Sequence, residues 1–330
     1  MGDAATLLTA LVVGSVVEGF LEFDWATFFD IVVSGIGLGA LYALVAMGFS
    51  LIYKVTGVLN FAQGQIAMVG AYSVVIFGTA ALLATPLPAW GAVVVTVLIG
   101  IVLGLLLERV VFRQFIGEPV LSVIIVTLAL GGIFEGLIAF LFGRNFKGYP
   151  EALTFGWEVG LPFGASIQGA YAVAVLFALV VVAALMLFFR QSVTGSILRA
   201  AASDEQAAMV LGVSIKRTIA LAWTISIAIT AIGGILLAVS SGGASFSIET
   251  TGIIIFAAVV FGGLDSIPGA FIGSIVVGLL QELGSFYLEG GGALIDFGPG
   301  FGEILPLIFL LVVIIVKPYG LFGTERIERL

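Results

Sequence analysis

Charge is missing from this chain over long distances. Residues 55–107 run for 53 positions without an Asp, Glu, Lys or Arg, and residues 159–189 and 218–248 for 31 positions each. At about 1.5 Å per helical residue, a run of 31 residues reaches roughly 46 Å, more than the ~30 Å hydrocarbon core of a bilayer. A helix suits that environment because it satisfies every backbone N–H and C=O within its own segment. Membrane barrels are built instead from alternating segments of about ten residues, and these runs are long and unbroken. The fold class is therefore all-α, a polytopic transmembrane helical bundle.

Composition agrees. Of 330 residues, 61% are hydrophobic and 10% charged, where soluble domains carry about a quarter charged residues. The 45 glycines let lipid-embedded helices approach closely. There is no Cys, which removes disulfides and thiolate metal sites, and no His, which removes the side chain best suited to proton relay near neutral pH. No catalytic pair and no metal cluster is visible, and no nucleic-acid partner is expected. Membrane lipid is the one partner that composition demands. The apolar stretch 6–17 lacks a preceding basic region, so it is not read as a cleaved signal peptide. It is short for a crossing and predicts a helix lying at the membrane surface.

Spans are expected at 31–53, 57–83, 89–108, 119–143, 159–189 and 218–248, with a break at Pro86 and Pro88 and a polar segment at 144–166. Residues 253–264 and 267–283, separated by Asp265 and Ser266, form either two crossings with a tight turn or a partly re-entrant pair. Residues 304–316 make the last span. The count is eight or nine, within one transmembrane domain over residues 1–330. Ten of the twelve basic residues fall in alternate loops: Lys54, Arg109, Arg113, Arg190, Arg199, Lys216, Arg217, Lys317, Arg326 and Arg329. Arg144 and Lys147 fall opposite. Basic loops stay inside, so the segment 190–217 and the C-terminus are expected in the cytoplasm of a cell whose plasma or inner membrane holds the chain. Acids collect on the other face, among them Glu18, Glu22, Glu151, Glu158, Glu249, Glu289 and Asp296.

Segment 190–217 carries six charges between the two 31-residue runs. Within it, 204–211 reads as one short helix. Ser203 is placed to cap it with Gln206 completing a capping box, Asp204 and Glu205 suit the first turn, and Gly212 suits a left-handed stop. A helix of about eight residues does not persist alone in water. It either lies on its own membrane domain or offers Ala207 and Ala208 as a small-residue face to a partner's cleft.

Glu205, Ala207, Ala208 and Gly212 in this spacing resemble the EAA-x-x-x-G coupling motif of ATP-binding-cassette importer permeases. The runs Gly37-x-Gly39-Ala40-Leu41-Tyr42-Ala43-Leu44 and Gly57-Val58-Leu59-Asn60-Phe61-Ala62-Gln63-Gly64 add to it, as do Leu198-Arg199-Ala200, Gly262-Gly263-Leu264-Asp265-Ser266-Ile267-Pro268-Gly269 and Lys317-Pro318-Tyr319-Gly320-Leu321-Phe322-Gly323. Together these are similar to the branched-chain amino-acid permease family, LivH-type half, over roughly residues 31–323. The resemblance implies a non-enzymatic permease that pairs with a second, LivM-type permease. Two cytoplasmic ATPase subunits would bind the ATP, and an extracytoplasmic binding protein would deliver substrate. The chain has no G-x-x-x-x-G-K-[ST] and no Gly-Lys pair, so it carries no P-loop and needs no cofactor of its own.

Asn60, Gln63 and Gln65 are the densest uncharged polar cluster in an apolar setting. An unpaired amide in lipid costs roughly 2–7 kcal/mol, so the three either tie down a broken helix start or line a path. The family usually has His and Glu at positions 63 and 65; a titrating role there is absent from this chain. Glu135 is an acid inside a span, expected to be structural. Asp265 is expected to fix the turn before Pro268 and Gly269 by an Asx bond. The expected activity is import of branched-chain or other hydrophobic amino acids, with urea or short amides as alternative cargo. A proton-coupled secondary transporter is a further class, disfavoured by the scarcity of titratable groups near the midplane.

Overall fold

The computed structural model describes residues 24–79, 85–115, 117–289 and 297–324. The surface helix expected at 6–17, the acids Glu18, Glu22 and Asp296, and the basic residues Arg326 and Arg329 lie outside these. In chain order the described helices are α1 (Trp25–Thr56), α2 (Gln63–Gly78), α3 (Ala89–Val110), α4 (Val120–Phe142) and α5 (Gly169–Gln191). They continue as α6 (Val193–Ser203), α7 (Glu205–Val210), α8 (Ile215–Ser240), α9 (Ser247–Gly262), α10 (Ile267–Leu288) and α11 (Phe301–Val316). Six of them, α1, α3, α4, α5, α8 and α10, are long and apolar enough to cross a bilayer. The apolar helices α2, α9 and α11 have 16 residues each, about 24 Å at helical rise.

α1 is the axis of the bundle. From Gly39 to Ile52 every residue is buried, and the helix packs along α10, α8 and α5. The closest of these approaches needs glycine. A Cβ at Gly39 would stand 2.6 Å from the Cα of Ile275 on α10, so the two backbones touch, as small residues permit in lipid-embedded bundles. Outward faces of α3, α4, α5 and α11 carry exposed Leu98, Val102, Ile125, Leu128, Leu176, Val180, Leu311 and Ile315. Apolar surface of that extent belongs in lipid.

Two ends can be told apart. At one, Lys54 at the close of α1 donates to the main-chain oxygen of Asp265 (2.8 Å), and buried Glu108 holds Arg113 through two bonds of 3.0 and 2.8 Å. Arg190 and Arg199 share a cavity with Lys54 at this same end. At the other, Asp30 accepts from the main-chain N–H of Ser166 (2.8 Å) and Arg144 pairs with Glu135 (2.6 Å). Lys54, Arg113, Arg190 and Arg199, which alternation assigned to one side, thus gather at one end.

Three expectations about the elements need correcting. Segment 144–166, expected as an extracytoplasmic loop, is not simply a loop. β1 (Lys147–Gly148) pairs antiparallel with β4 (Gly243–Ala244), and β2 (Glu158–Gly160) with β3 (Ser166–Gln168), so α5 begins only at Gly169. Segment 190–217 holds two helices rather than one: α6 precedes α7. Finally, the second span does not start at residue 57, because 57–62 are not helical.

Candidate functional site

α1 stops at Gly57, which takes the left-handed conformation (φ 68°) and donates to Tyr53. The chain then turns back beside α1, and α2 starts only where Gln63 meets the main-chain oxygen of Val45 (3.5 Å) and the Thr230 hydroxyl of α8. Val45 lies eleven residues before the end of α1, so α2 starts about 16 Å inside the bundle. A helix start at that depth exposes N–H groups that water does not reach, and side chains must satisfy them. Asn60 Oδ1 accepts from the Ala62 N–H (3.1 Å), and Asn60 Nδ2 donates to Gln63 Oε1 (2.7 Å). Thr127 on α4 accepts from the Phe61 N–H (3.2 Å). Asn60 and Gln63, both buried, are therefore engaged in holding the break.

Gln65 differs. Its Nε2 donates to Glu249 Oε1 (2.9 Å) while its own Oε1 has no partner among the described residues. Glu249 sits in the first turn of α9, thirteen residues from Gly262 at the basic end, about 20 Å by helical rise. It is partly buried, three residues after Phe246, whose ring lies 5.1 Å from the Arg144 guanidinium. Gly64 and Gly252 bring the two side chains together: a Cβ at Gly64 would stand 2.6 Å from the Glu249 main-chain oxygen. Phe61, partly exposed, stacks at a tilt on Phe256 (5.5 Å between centroids), and Ile253 is exposed beside them. The result is a carboxylate beside an aromatic and aliphatic surface, with the Gln65 amide oxygen buried toward Gly131 of α4.

Glu135, the acid that sequence singled out, is tied to Arg144 at the opposite end. The Asx bond expected of Asp265 is not made. Its carboxylate accepts from the Thr324 N–H (3.2 Å) and hydroxyl, holding the segment after α11. Ser266 caps α10 instead, accepting from Gly269 (3.1 Å), with Pro268 in the first turn. Ser266 is one residue nearer the helix, which puts its hydroxyl three residues before the Gly269 N–H.

The basic end carries the second group of residues. Ser192 caps α6 by accepting from Gly195 (2.8 Å), and Gly195, Leu198 and Ala201 turn inward at every third residue. Because α6 runs through Ser203, that hydroxyl donates back to Arg199 (3.0 Å) and does not cap α7. Asp204 does, accepting from the Ala207 N–H (2.9 Å). No capping box forms, and α7 has six residues. Gly212 adopts φ 85° as a left-handed stop, donating to Met209 (2.9 Å). Ala208 is buried against Ala201 and Ile215, so it faces the chain's own bundle while Ala207 is exposed. What points away is apolar: Met209 is half exposed, Val210 88% and Leu211 82%.

Residues 31–316 match the family described as branched-chain amino acid transport system, permease component. The chain belongs to that family. Among curated members, the Escherichia coli high-affinity branched-chain amino acid transport system permease protein LivH is 30% identical over 320 residues, covering 94% of this chain and 99% of the relative. BraD of Pseudomonas aeruginosa, a permease protein of a system of the same description, is 26% identical over 90% of this chain and 96% of its own. A solved structure, PsaBC from Streptococcus pneumoniae in complex with Fab, aligns over 93% of this chain and 97% of that one at 14% identity with a TM-score of 0.48. The family match takes in both groups of residues above and all the described helices apart from the first six residues of α1.

Proposed function

We propose that the chain is the membrane-spanning permease subunit of an ATP-binding-cassette importer that carries branched-chain or other hydrophobic amino acids into the cell. One observation carries the reading beyond family membership. A short capped helix, seated on the bundle through Ala208, presents Met209, Val210 and Leu211 away from it. Exposed apolar side chains on a polar loop call for a partner surface, and an ATPase subunit is the partner that such an importer requires. The basic end is then cytoplasmic, the chain crosses eight or nine times, and residues 190–217 form the coupling segment. A second permease of LivM type, a second ATPase and an extracytoplasmic binding protein complete the assembly.

The path for movement is physical. α7 packs on Ile215, the first residue of α8, and α8 carries Thr230, which bonds Gln63 at the break. A rigid shift of α7 on ATP-driven closure of the ATPases thus reaches the start of α2 through one helix. There, Glu249 offers carboxylate oxygen to the ammonium of an amino acid, Gln65 steadies that carboxylate through its Nε2, and Phe61, Phe256 and Ile253 suit the aliphatic side chain. Asn60 and Gln63 hold the geometry.

Uptake of labelled leucine into vesicles bearing the full assembly tests this. It should continue in the presence of an uncoupler and stop when internal ATP is omitted. Uptake abolished by the uncoupler with ATP intact would mark an ion-coupled carrier and overturn the proposal.

A further inference from the structure

A cavity of about 290 Å³ opens at the basic end between the last turns of α1 and α5, α6 and the start of α10. Three cations from three helices line it: Lys54, Arg190 and Arg199. The ion pairs among the described residues are Arg113–Glu108 and Arg144–Glu135, so none of the three forms a salt bridge with a described carboxylate. Lys54 is fixed by a neutral acceptor, the main-chain oxygen of Asp265, whose carboxylate is turned to Thr324. Arg199 donates to the Ser196 hydroxyl (3.1 Å), again neutral. The start of α10 adds the positive end of a helix dipole. Like charges converging on one concavity repel, and a counter-anion relieves them.

The rest of the lining is apolar. Leu185, Phe189 and Ile267 are buried and make its floor, and Leu187 and Val180 extend an exposed apolar face along α5 from its rim. We propose that this cavity binds an anionic phospholipid, with the phosphate between Arg190, Arg199 and Lys54 and an acyl chain laid along α5. A soluble anion would use the cations and leave the apolar floor and its track uncovered. A zwitterionic lipid would bring its own cation into a site that already has three. Basic pockets between membrane helices suit such headgroups, and guanidinium groups pair with phosphate oxygens two at a time.

Native mass spectrometry of the full chain, extracted with its accompanying subunits from nanodiscs of equal phosphatidylglycerol and phosphatidylcholine, reads the retained lipid. The unaltered chain should retain phosphatidylglycerol preferentially. Arg190→Gln with Arg199→Gln should lower that preference about tenfold or more. Lys216→Gln with Arg217→Gln removes the same charge at the same end but outside the cavity, and should leave it intact. Should the double variant assemble poorly, Arg190→Gln and Arg199→Gln are measured singly, each expected to cost about fivefold. An equal fall in the cavity and control variants, or full retention in the cavity variants, overturns the proposal. Release of the lipid by excess inorganic phosphate alone would assign the site to a soluble anion and overturn it as well.

Discussion

Gln63 and Gln65 are two residues apart and chemically identical, yet their surroundings divide the work between them. Gln63 is 4% exposed and bonds to Asn60, Val45 and Thr230. Gln63→Leu strands the Asn60 amide and the Thr230 hydroxyl inside the bundle, and each buried orphan costs about 1–3 kcal/mol. The thermal midpoint of the purified protein should therefore fall. Gln65 is only partly buried and has one bond, to Glu249, so Gln65→Leu should leave that midpoint nearly unchanged while lowering leucine uptake several-fold. Equal loss of stability in both variants would show that Gln65 too is only a structural tie. Tyr72 supplies the opposite case. Its ring is buried, and its hydroxyl has no partner among the described residues. Tyr72→Phe removes an unsatisfied group at constant shape, so stability should hold or rise in the same melting measurement. The polar cluster was legible in sequence because three amides stand out in an apolar run. The division within it was not, because the partner that separates Gln65 from Gln63 is Glu249, 184 residues away, and only the crossing of Gly64 with Gly252 brings it near.

Among the elements, α7 is the one whose length and fixings decide what it can do. Six residues make too few intrahelical bonds to persist alone, so its caps and its contact through Ala208 hold it. Gly212 has open space around a would-be Cβ but sits at φ 85°. Gly212→Val thus introduces backbone strain of about 1–2 kcal/mol and no clash. The variant should insert and fold while uptake and transport-coupled ATP hydrolysis fall; normal transport would detach α7 from coupling. Charge made this segment visible in sequence, flanked as it is by uncharged runs. Its internal order was harder to read. Ser203 and Asp204 are both good caps, and the outcome was set by α6, which runs through residue 203 and leaves only Asp204 outside a helix. α6 itself was missed because its inward stripe of Gly195, Leu198 and Ala201 is short and two-thirds small residues, a weak periodic signal. Of the two readings left open by the sequence, Ala208 fits the first, packing on the chain's own bundle, while Ala207, Met209, Val210 and Leu211 face outward.

For the whole molecule, the open quantity is direction. Helix lengths do not settle the number of crossings, because α2, α9 and α11 at about 24 Å each fall short of a ~30 Å core and rely on neighbouring non-helical segments. Charge is more decisive, since ten basic residues of twelve lie in alternate loops and Lys54, Arg113, Arg190 and Arg199 gather at one end. If that end is cytoplasmic, Glu151 faces outward and Ser196 inward, both being exposed. The chain has no Cys, so a single introduced thiol reports its own position without background. A membrane-impermeant maleimide added to intact cells should label Glu151→Cys and spare Ser196→Cys, and permeabilisation should expose the second. The reverse pattern would place residues 190–217 outside, away from ATP. α7 could then not serve as the coupling helix, although the bundle, its broken second helix and the Gln65–Glu249 pair would stand unchanged. Fold and direction rest on different physics here: helix burial on contacts within the chain, orientation on the uneven placement of a dozen charges. A labelling experiment can therefore overturn the second without touching the first.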